Sequence, residues 1–384
     1  MQPDDSSERR SVRARLNRVA RVLLFVLMLY LFLVAIELFS GSIKMAGHET
    51  ADRLFRGLRN PFAGLAVGIL ATVLVQSSSV TTSTIVAMVG SGTLPLAHAV
   101  PMVMGANIGT SVTNTVVSLG HIGQGAAFRR AFAGATIHDI FNLLTVLILL
   151  PIELLTGVLQ HSAEWLTARL PAWGGDGGAF KSPVKQAVKA ASKLVVSFFE
   201  DTLGLTGGWL SLVLAALAFV LILTSLVFIT KNMRVLLADR IEQWLNRVLR
   251  RSAMLGLVIG IAMTVLVQSS SITTSLLVPV FAAGVMKLEA GFPIMLGANI
   301  GTTVTALIAS TVAGPAGLCI ALVHLLFNLA GTAIFLPIRA MRRLPIWLAE
   351  ALALAAQHNR IWVLLYIFGV FVAAPLLGIW LWQE

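Results

Sequence analysis

Long apolar stretches alternate with short polar strings along this chain, and the polar strings come in pairs. Residues 22–39 carry one charge, Glu37, while residues 209–229 and 361–382 carry none. Residues 131–150 and 318–336 are equally apolar apart from His138, Asp139 and His324. A helix crosses a bilayer core with about 17–25 mostly apolar residues, so each of these five runs is long enough to span one. Two shorter runs behave differently. Residues 62–75 lead into Gln-Ser-Ser-Ser, and residues 80–89 follow it. At about 1.5 Å per residue, arms of this length reach only about 15–21 Å, short of a core about 30 Å thick. Two short arms joined by a polar tip predict a hairpin that enters and leaves on one side. The next segment, 94–119, is long enough to cross, but GANIGTS interrupts it with two glycines and an asparagine. That predicts a discontinuous helix, which membrane depth tolerates only where protein or a water-filled cavity satisfies the backbone.

The same order of elements then recurs. TVLVQSSSVTTS at 72–83 returns as TVLVQSSSITTS at 264–275, and GANIGTSVT at 105–113 returns as GANIGTTVT at 297–305, both 192 residues on. His138-x-x-Phe141-Asn142 returns as His324-x-x-Phe327-Asn328 after 186 residues, so the second copy lacks six residues in between. GLAVG at 64–68 answers GLVIG at 256–260, a glycine spacing that suits close helix packing. Apolar helices resemble one another in composition, but chance likeness does not repeat polar strings in order. Internal duplication with short or glycine-interrupted segments in matching places is a feature of many secondary transporters. The fold class read from this pattern is an all-α membrane protein of two inverted structural repeats, each with a re-entrant hairpin and a discontinuous helix, plus a C-terminal transmembrane helix. The expected divisions are a basic cytoplasmic tail at 1–21, repeat one at 22–159, an external linker at 160–206, and repeat two at 207–341. An amphipathic segment and the final helix complete the chain at 342–384.

Composition agrees. Apolar residues make up 57% of the chain and charged residues 12%, against about 25% charged in a soluble domain. The net charge of +11 does not point to nucleic acid, because the basic residues lie in blocks between apolar segments, as the positive-inside rule requires. Arg9, Arg10, Arg13, Arg15, Arg18 and Arg21 precede the first run, and no small-residue cleavage site follows it. This predicts a retained first helix with a cytoplasmic N-terminus, in a multi-pass protein of the cell (inner) membrane. If the hairpins do not cross, each repeat crosses three times and the two lie in opposite orientations. The segments then placed inside hold 19 Lys and Arg, and those outside hold 9. Cys319, the one cysteine, cannot form an internal disulfide and reads as packing.

The paired strings contain no charge. Hydroxyls, amide oxygens and unwound carbonyls suit small hard cations, whereas helix N-termini suit anions and serine caps them well. Gln76, Ser77, Ser78 and Ser79, with Gln268, Ser269, Ser270 and Ser271, are therefore candidates to hold one anion together with coupling cations. The plainer alternative is that small hydroxyl residues let helices approach. His138 and Asp139 lie inside an apolar run, where ionisable groups are costly and usually functional. Leu325 stands where a second Asp139 would be, suggesting a cation site or proton-sensitive group in one half only. His324 and Asn328 read equally well as satisfied interior groups. Lys181, Lys185, Lys189 and Lys193, four apart, form one solvated or headgroup-facing helix face. Metal-ligand spacings, a nucleotide loop and a nucleophile elbow are all absent, which excludes the common soluble enzymes. A secondary transporter and a channel remain, and tips that occlude a central site favour the transporter.

The doubled QSSS, MGANIGTSVTNT at 104–115 and FRRAFAGATIHDIFN at 128–142 resemble the type II sodium–phosphate cotransporters, and RLPIWLAEALA at 343–353 does so more weakly. The resemblance covers roughly 22–382. It implies coupled uptake of inorganic phosphate with Na⁺, with no cofactor beyond Na⁺ as coupling ion. It also implies that Gln76 to Ser79 and Gln268 to Ser271 line the substrate and sodium sites, with Asn107, Thr110, Ser111, Asn299, Thr302 and Thr303 beside them. In this family an acidic residue near the first-repeat site marks electrogenic members, and Asp139 is the candidate here. Against animal members, the resemblance leads us to expect three departures: a linker without cysteines, an end about one helix early and no cytoplasmic regulatory tail. A Na⁺-coupled carrier of another small oxyanion, and an ion channel, are the remaining alternatives.

Overall fold

The computed structural model describes residues 5–46, 60–170, 183–248 and 253–381. Helix α1 spans Asp5–Ala46. Helix α2, Pro61–Val75, starts where the Asn60 side chain accepts from the Phe62 N–H, with proline at a first position that needs no donor. Gln76 ends α2 in the left-handed region, and α3, Ser78–Gly90, begins at once because the Ser77 hydroxyl accepts from the Val80 N–H. Then come α4, Leu96–Gly109, α5, Val112–Leu119, and α6, Ala126–Thr156. Helix α7, Val158–Arg169, is capped by the Glu153 carboxylate, which accepts from the N–H groups of Leu159 and Gln160. Helix α8, Pro183–Ser197, runs into a π turn at Phe198–Thr202. The second half repeats the order with α9, Gly207–Val248, α10, Ala253–Val267, α11, Ser270–Ser275, α12, Leu277–Ala282, and α13, Leu288–Phe335. Helix α14, Arg339–His358, precedes α15, Ile361–Phe368, a π turn at Gly369–Ala373 and α16, Ala374–Leu381.

Helices α1, α6, α9, α13 and the 361–381 segment are long and apolar enough to cross a membrane, and each holds all but at most one residue of one of the five apolar runs. This is an all-α membrane protein. Helix α13 has 48 residues, about 72 Å if straight, more than twice a bilayer core. It is two helices joined at Gly314, whose φ of +78° breaks the ladder. The six residues lacking in the second copy are located by this join: residues 120–125 separate α5 from α6, and at the same point α13 turns on Gly314.

Close contacts repeat between halves. Helix α2 packs along α4, and α10 along the first part of α13. A Cβ on Gly68 would sit 2.1 Å from the Met102 carbonyl oxygen, and one on Gly105 would sit 2.1 Å from that of Leu65. Gly260 and Gly297 meet Ile294 and Leu257 in the same way. The glycines of GANIG therefore let two backbones touch; they do not open the helix. Here the expectation needs correcting. In the first copy the helix breaks between α4 and α5, at Thr110 and Ser111, but in the second copy Gly297 to Thr305 stay helical within α13. The Ser111 hydroxyl is drawn away to His138, whereas the Thr303 hydroxyl donates to Ile300 O within its own helix.

The helices that follow the two QSSS strings are exchanged between halves. Helix α3 packs on α13 of the other half, while α11 meets α5 and α12 meets α6. Phe141 of α6, edge-on to Phe292 and Phe335 of α13, joins the halves in the apolar core. Outside this centre, α7 lies on α13 and α8 on α1. Cys319 is buried. Helix α14 is amphipathic: Ile346, Ala349, Ala353 and Ala356 are buried, whereas Trp347 and Leu354 are exposed. Of the four spaced lysines, Lys189 and Lys193 are exposed; Lys181 lies outside the described residues.

Candidate functional site

Gln76 and Gln268 are the only non-glycine residues at positive φ among the described residues, at 56° and 57°. Left-handed backbone is unfavourable for such a side chain, so each turn is held from outside. Each glutamine donates Nε2 to a carbonyl three residues back, Val73 or Val265. Each also accepts at Oε1 from a threonine 37 residues on, Thr113 at 2.9 Å and Thr305 at 3.0 Å. The glutamines thus latch each QSSS string to the residues just after GANIGT in the same half, on α5 in the first and on α13 in the second.

The serines divide into two kinds. Ser77 and Ser269 spend their hydroxyls capping Val80 and Ile272. Ser78, Ser79 and Ser270 are buried and Ser271 half-buried, yet none of these four hydroxyls makes a hydrogen bond among the described residues. Among the described residues no hydrogen bond joins one QSSS string to the other.

The halves meet instead through histidine and asparagine. His138 Nε2 donates to Asn299 Oδ1 of the other half, and its Nδ1 accepts from the Ser111 hydroxyl at 2.6 Å. This satisfies a neutral imidazole with its proton on Nε2. Asn299 Nδ2 donates to Asn142 Oδ1 at 2.7 Å, and Asn142 Nδ2 to Asn107 O at 3.0 Å. Reciprocally, His324 Nε2 lies 3.4 Å from Asn107 Oδ1. Thr110 and Thr302 donate to the carbonyls of Ala106 and Ala298, which leaves lone pairs on both oxygens.

Two further departures from symmetry involve polar groups at this centre. Thr274 and Ser275 both donate to Asn114 Oδ1, at 3.0 and 2.8 Å, so α11 is pinned to α5. Ala306 replaces Asn114 in the second copy, and the buried hydroxyl of Ser83, the equivalent of Ser275, has no partner. The other break is Asp139, fully buried on α6. Its Oδ2 accepts from the Tyr366 hydroxyl at 2.7 Å and, at 3.5 Å, from Thr115, while Oδ1 has no partner. Among the described residues no Lys or Arg pairs with it; His138 Nδ1 lies 4.0 Å from Oδ1.

A family model described as Na⁺/Pi-cotransporter matches residues 31–158 and again residues 221–350, one block in each half. The chain belongs to the Na⁺/Pi-cotransporter family. It is 34% identical to sodium-dependent phosphate transport protein 2A of Rattus norvegicus, over 94% of this chain and 67% of that protein. The 2A protein of Ovis aries is 35% identical over 92% and 66%. The 2B protein of Homo sapiens is 30% identical over 93% and 64%. The chain thus spans about two thirds of the length of these curated relatives. No solved structure matches it.

Within this family member, several participants in the polar centre escaped the sequence reading, among them Thr113, Thr305, Asn114 and Tyr366. Thr113 and Thr305 had a signal, since each follows its glutamine by 37 residues. Asn114 and Tyr366 have no counterpart in the other half. Tyr366 is one of only two tyrosines, set in a charge-free run, and nothing local tells which acid it meets.

Proposed function

We propose that the protein is a secondary active transporter that couples Na⁺ influx to uptake of inorganic phosphate. The observation that carries the reading is the set of four serine hydroxyls, two per half, that sit in buried or half-buried positions without a hydrogen-bond partner among the described residues. The relatives' names as sodium-dependent phosphate transport proteins supply the substrate and the coupling ion. In this reading the halves are inverted repeats, and α2–α3 and α10–α12 are re-entrant hairpins. Gln76 to Ser79 and Gln268 to Ser271 line the phosphate site, with Ser78, Ser79, Ser270 and Ser271 as its direct ligands. Asn107, Thr110, Ser111, Asn299, Thr302 and Thr303 offer oxygens to Na⁺, and Asp139 makes transport electrogenic. The N-terminus faces the cytoplasm and the protein resides in the cell (inner) membrane.

Radiolabelled phosphate uptake into proteoliposomes, with and without an inward Na⁺ gradient, tests this directly. Accumulation above equilibrium that needs Na⁺ is the expected result. Flux indifferent to Na⁺ would indicate a channel, and Na⁺ coupling without phosphate movement would indicate another oxyanion.

A further inference from the structure

Two cavities away from the polar centre share a wall. The larger, about 660 Å³, opens among Arg129 of α6, Lys287 and Glu289 at the start of α13, and Trp347, Glu350 and Leu354 of α14. The second, about 460 Å³, shares Glu289, Trp347 and Glu350 and adds Arg343. Arg130, also in the larger cavity, is already engaged: it donates Nε and Nη2 to Ala282 O, and Nε also to Phe281 O, closing the end of α12. Arg129, Lys287, Glu289 and Glu350 are not. All four are exposed, and none makes an ion pair or side-chain hydrogen bond among the described residues. Two cations and two carboxylates thus line one cavity without neutralising each other.

The place and the wall identify the medium. Arg129 sits in the first turn of α6, a span-length helix, at one end of the bundle. Trp347 and Leu354, 62% and 56% exposed, give the cavity an apolar side, and Arg339, Arg342 and Arg343 lie at the start of α14. An exposed tryptophan among arginines beside a helix end is the composition of the headgroup layer, and basic pockets between such helices take lipid headgroups. We propose that this cavity binds the headgroup of a phospholipid carrying a primary ammonium, of the phosphatidylethanolamine type. Its phosphate meets Arg129 and Lys287, its ammonium meets Glu289 and Glu350, and its acyl chains follow Trp347 and Leu354. An anionic headgroup without the ammonium would set its charge against two carboxylates. Free phosphate would leave both carboxylates and the apolar side unused.

Native mass spectrometry of the full chain in detergent tests this, with phosphatidylethanolamine, phosphatidylglycerol and inorganic phosphate titrated separately. Thermal unfolding of each variant serves as a check on folding. Wild type should retain phosphatidylethanolamine about tenfold more tightly than phosphatidylglycerol, the scale of one charge-assisted hydrogen bond. E289Q/E350Q should lose that preference while still binding phosphatidylglycerol, and R129Q/K287Q should lose both lipids about tenfold. Equal or tighter phosphatidylglycerol binding by wild type overturns the proposal. So does an unchanged preference in E289Q/E350Q, or displacement of the lipid by inorganic phosphate. The readout is independent of transport, so the proposal stands or falls apart from the substrate reading.

Discussion

Ser78 and Ser270 occupy buried positions, and their hydroxyls have no hydrogen-bond partner among the described residues, which leaves a donor and an acceptor on each to be satisfied. If a charged ligand fills that need, Ser78→Ala or Ser270→Ala should weaken apparent affinity for phosphate or Na⁺ by about 10- to 150-fold, the value of roughly 1.5–3 kcal/mol. Ser77→Ala should act otherwise, costing about 1 kcal/mol of stability as a lost helix cap. Uptake kinetics set beside thermal unfolding separate the two effects, and wild-type kinetics in both alanine variants would remove the serines from the site. The QSSS strings were legible in the sequence, but the division between cap and open hydroxyl depends on where each helix starts. Asp139 has its own test. An intramembrane carboxylate without a cation is costly, and its Oδ1 is unpartnered. Phosphate is mostly divalent near neutral pH, so two Na⁺ carry it silently and a third, held beside Asp139, adds current. Wild type should therefore give a phosphate-dependent, voltage-sensitive current, and Asp139→Gly should keep uptake but lose the current. If the glycine variant stays electrogenic while Tyr366→Phe destabilises the protein, Asp139 serves Tyr366 and not Na⁺.

The helices show which parts of the pattern can be read locally. The five long apolar runs could, because length and hydropathy alone decide them. The six-residue shortening of the second copy was also visible, as a change of spacing; its location at Gly314 was not. GANIGT misled because glycine weakens an isolated helix yet permits backbones to touch, and only the partner helix decides which matters. Gly105→Ala measures that choice. Its Cβ would meet the Leu65 carbonyl oxygen at 2.1 Å, so α2 and α4 must separate, and overpacking of this kind costs about 1–3 kcal/mol or more. Gly123, with nothing within 4 Å of its Cβ position, should accept alanine with no measurable change. Thermal unfolding of both variants in detergent checks the contrast, and an unaffected Gly105→Ala would mean the helices are not in backbone contact.

Across the whole molecule, each half supplies the histidine that meets the other half's asparagine, His138 with Asn299 and His324 with Asn107. Each half also packs the helix that follows its QSSS string against the other. Sequence order could not reveal these pairings, since the partners lie 161 and 217 residues apart, but the two-fold relation proposed for the halves would produce both at once. Whether that axis lies in the membrane plane depends on the number of crossings per half. With three crossings and non-crossing hairpins, the second half enters from the opposite face to the first, and the Lys and Arg bias of 19 to 9 sets which face is inside. Ala97 lies just after α3 and Val285 just after α12, and both are exposed. In a Cys319→Ala background, Ala97→Cys and Val285→Cys should therefore react with a membrane-impermeant thiol reagent from opposite sides of sealed vesicles. If both react from one side, either a hairpin crosses or the halves are parallel. The reciprocal His–Asn contacts would then need an axis along the membrane normal.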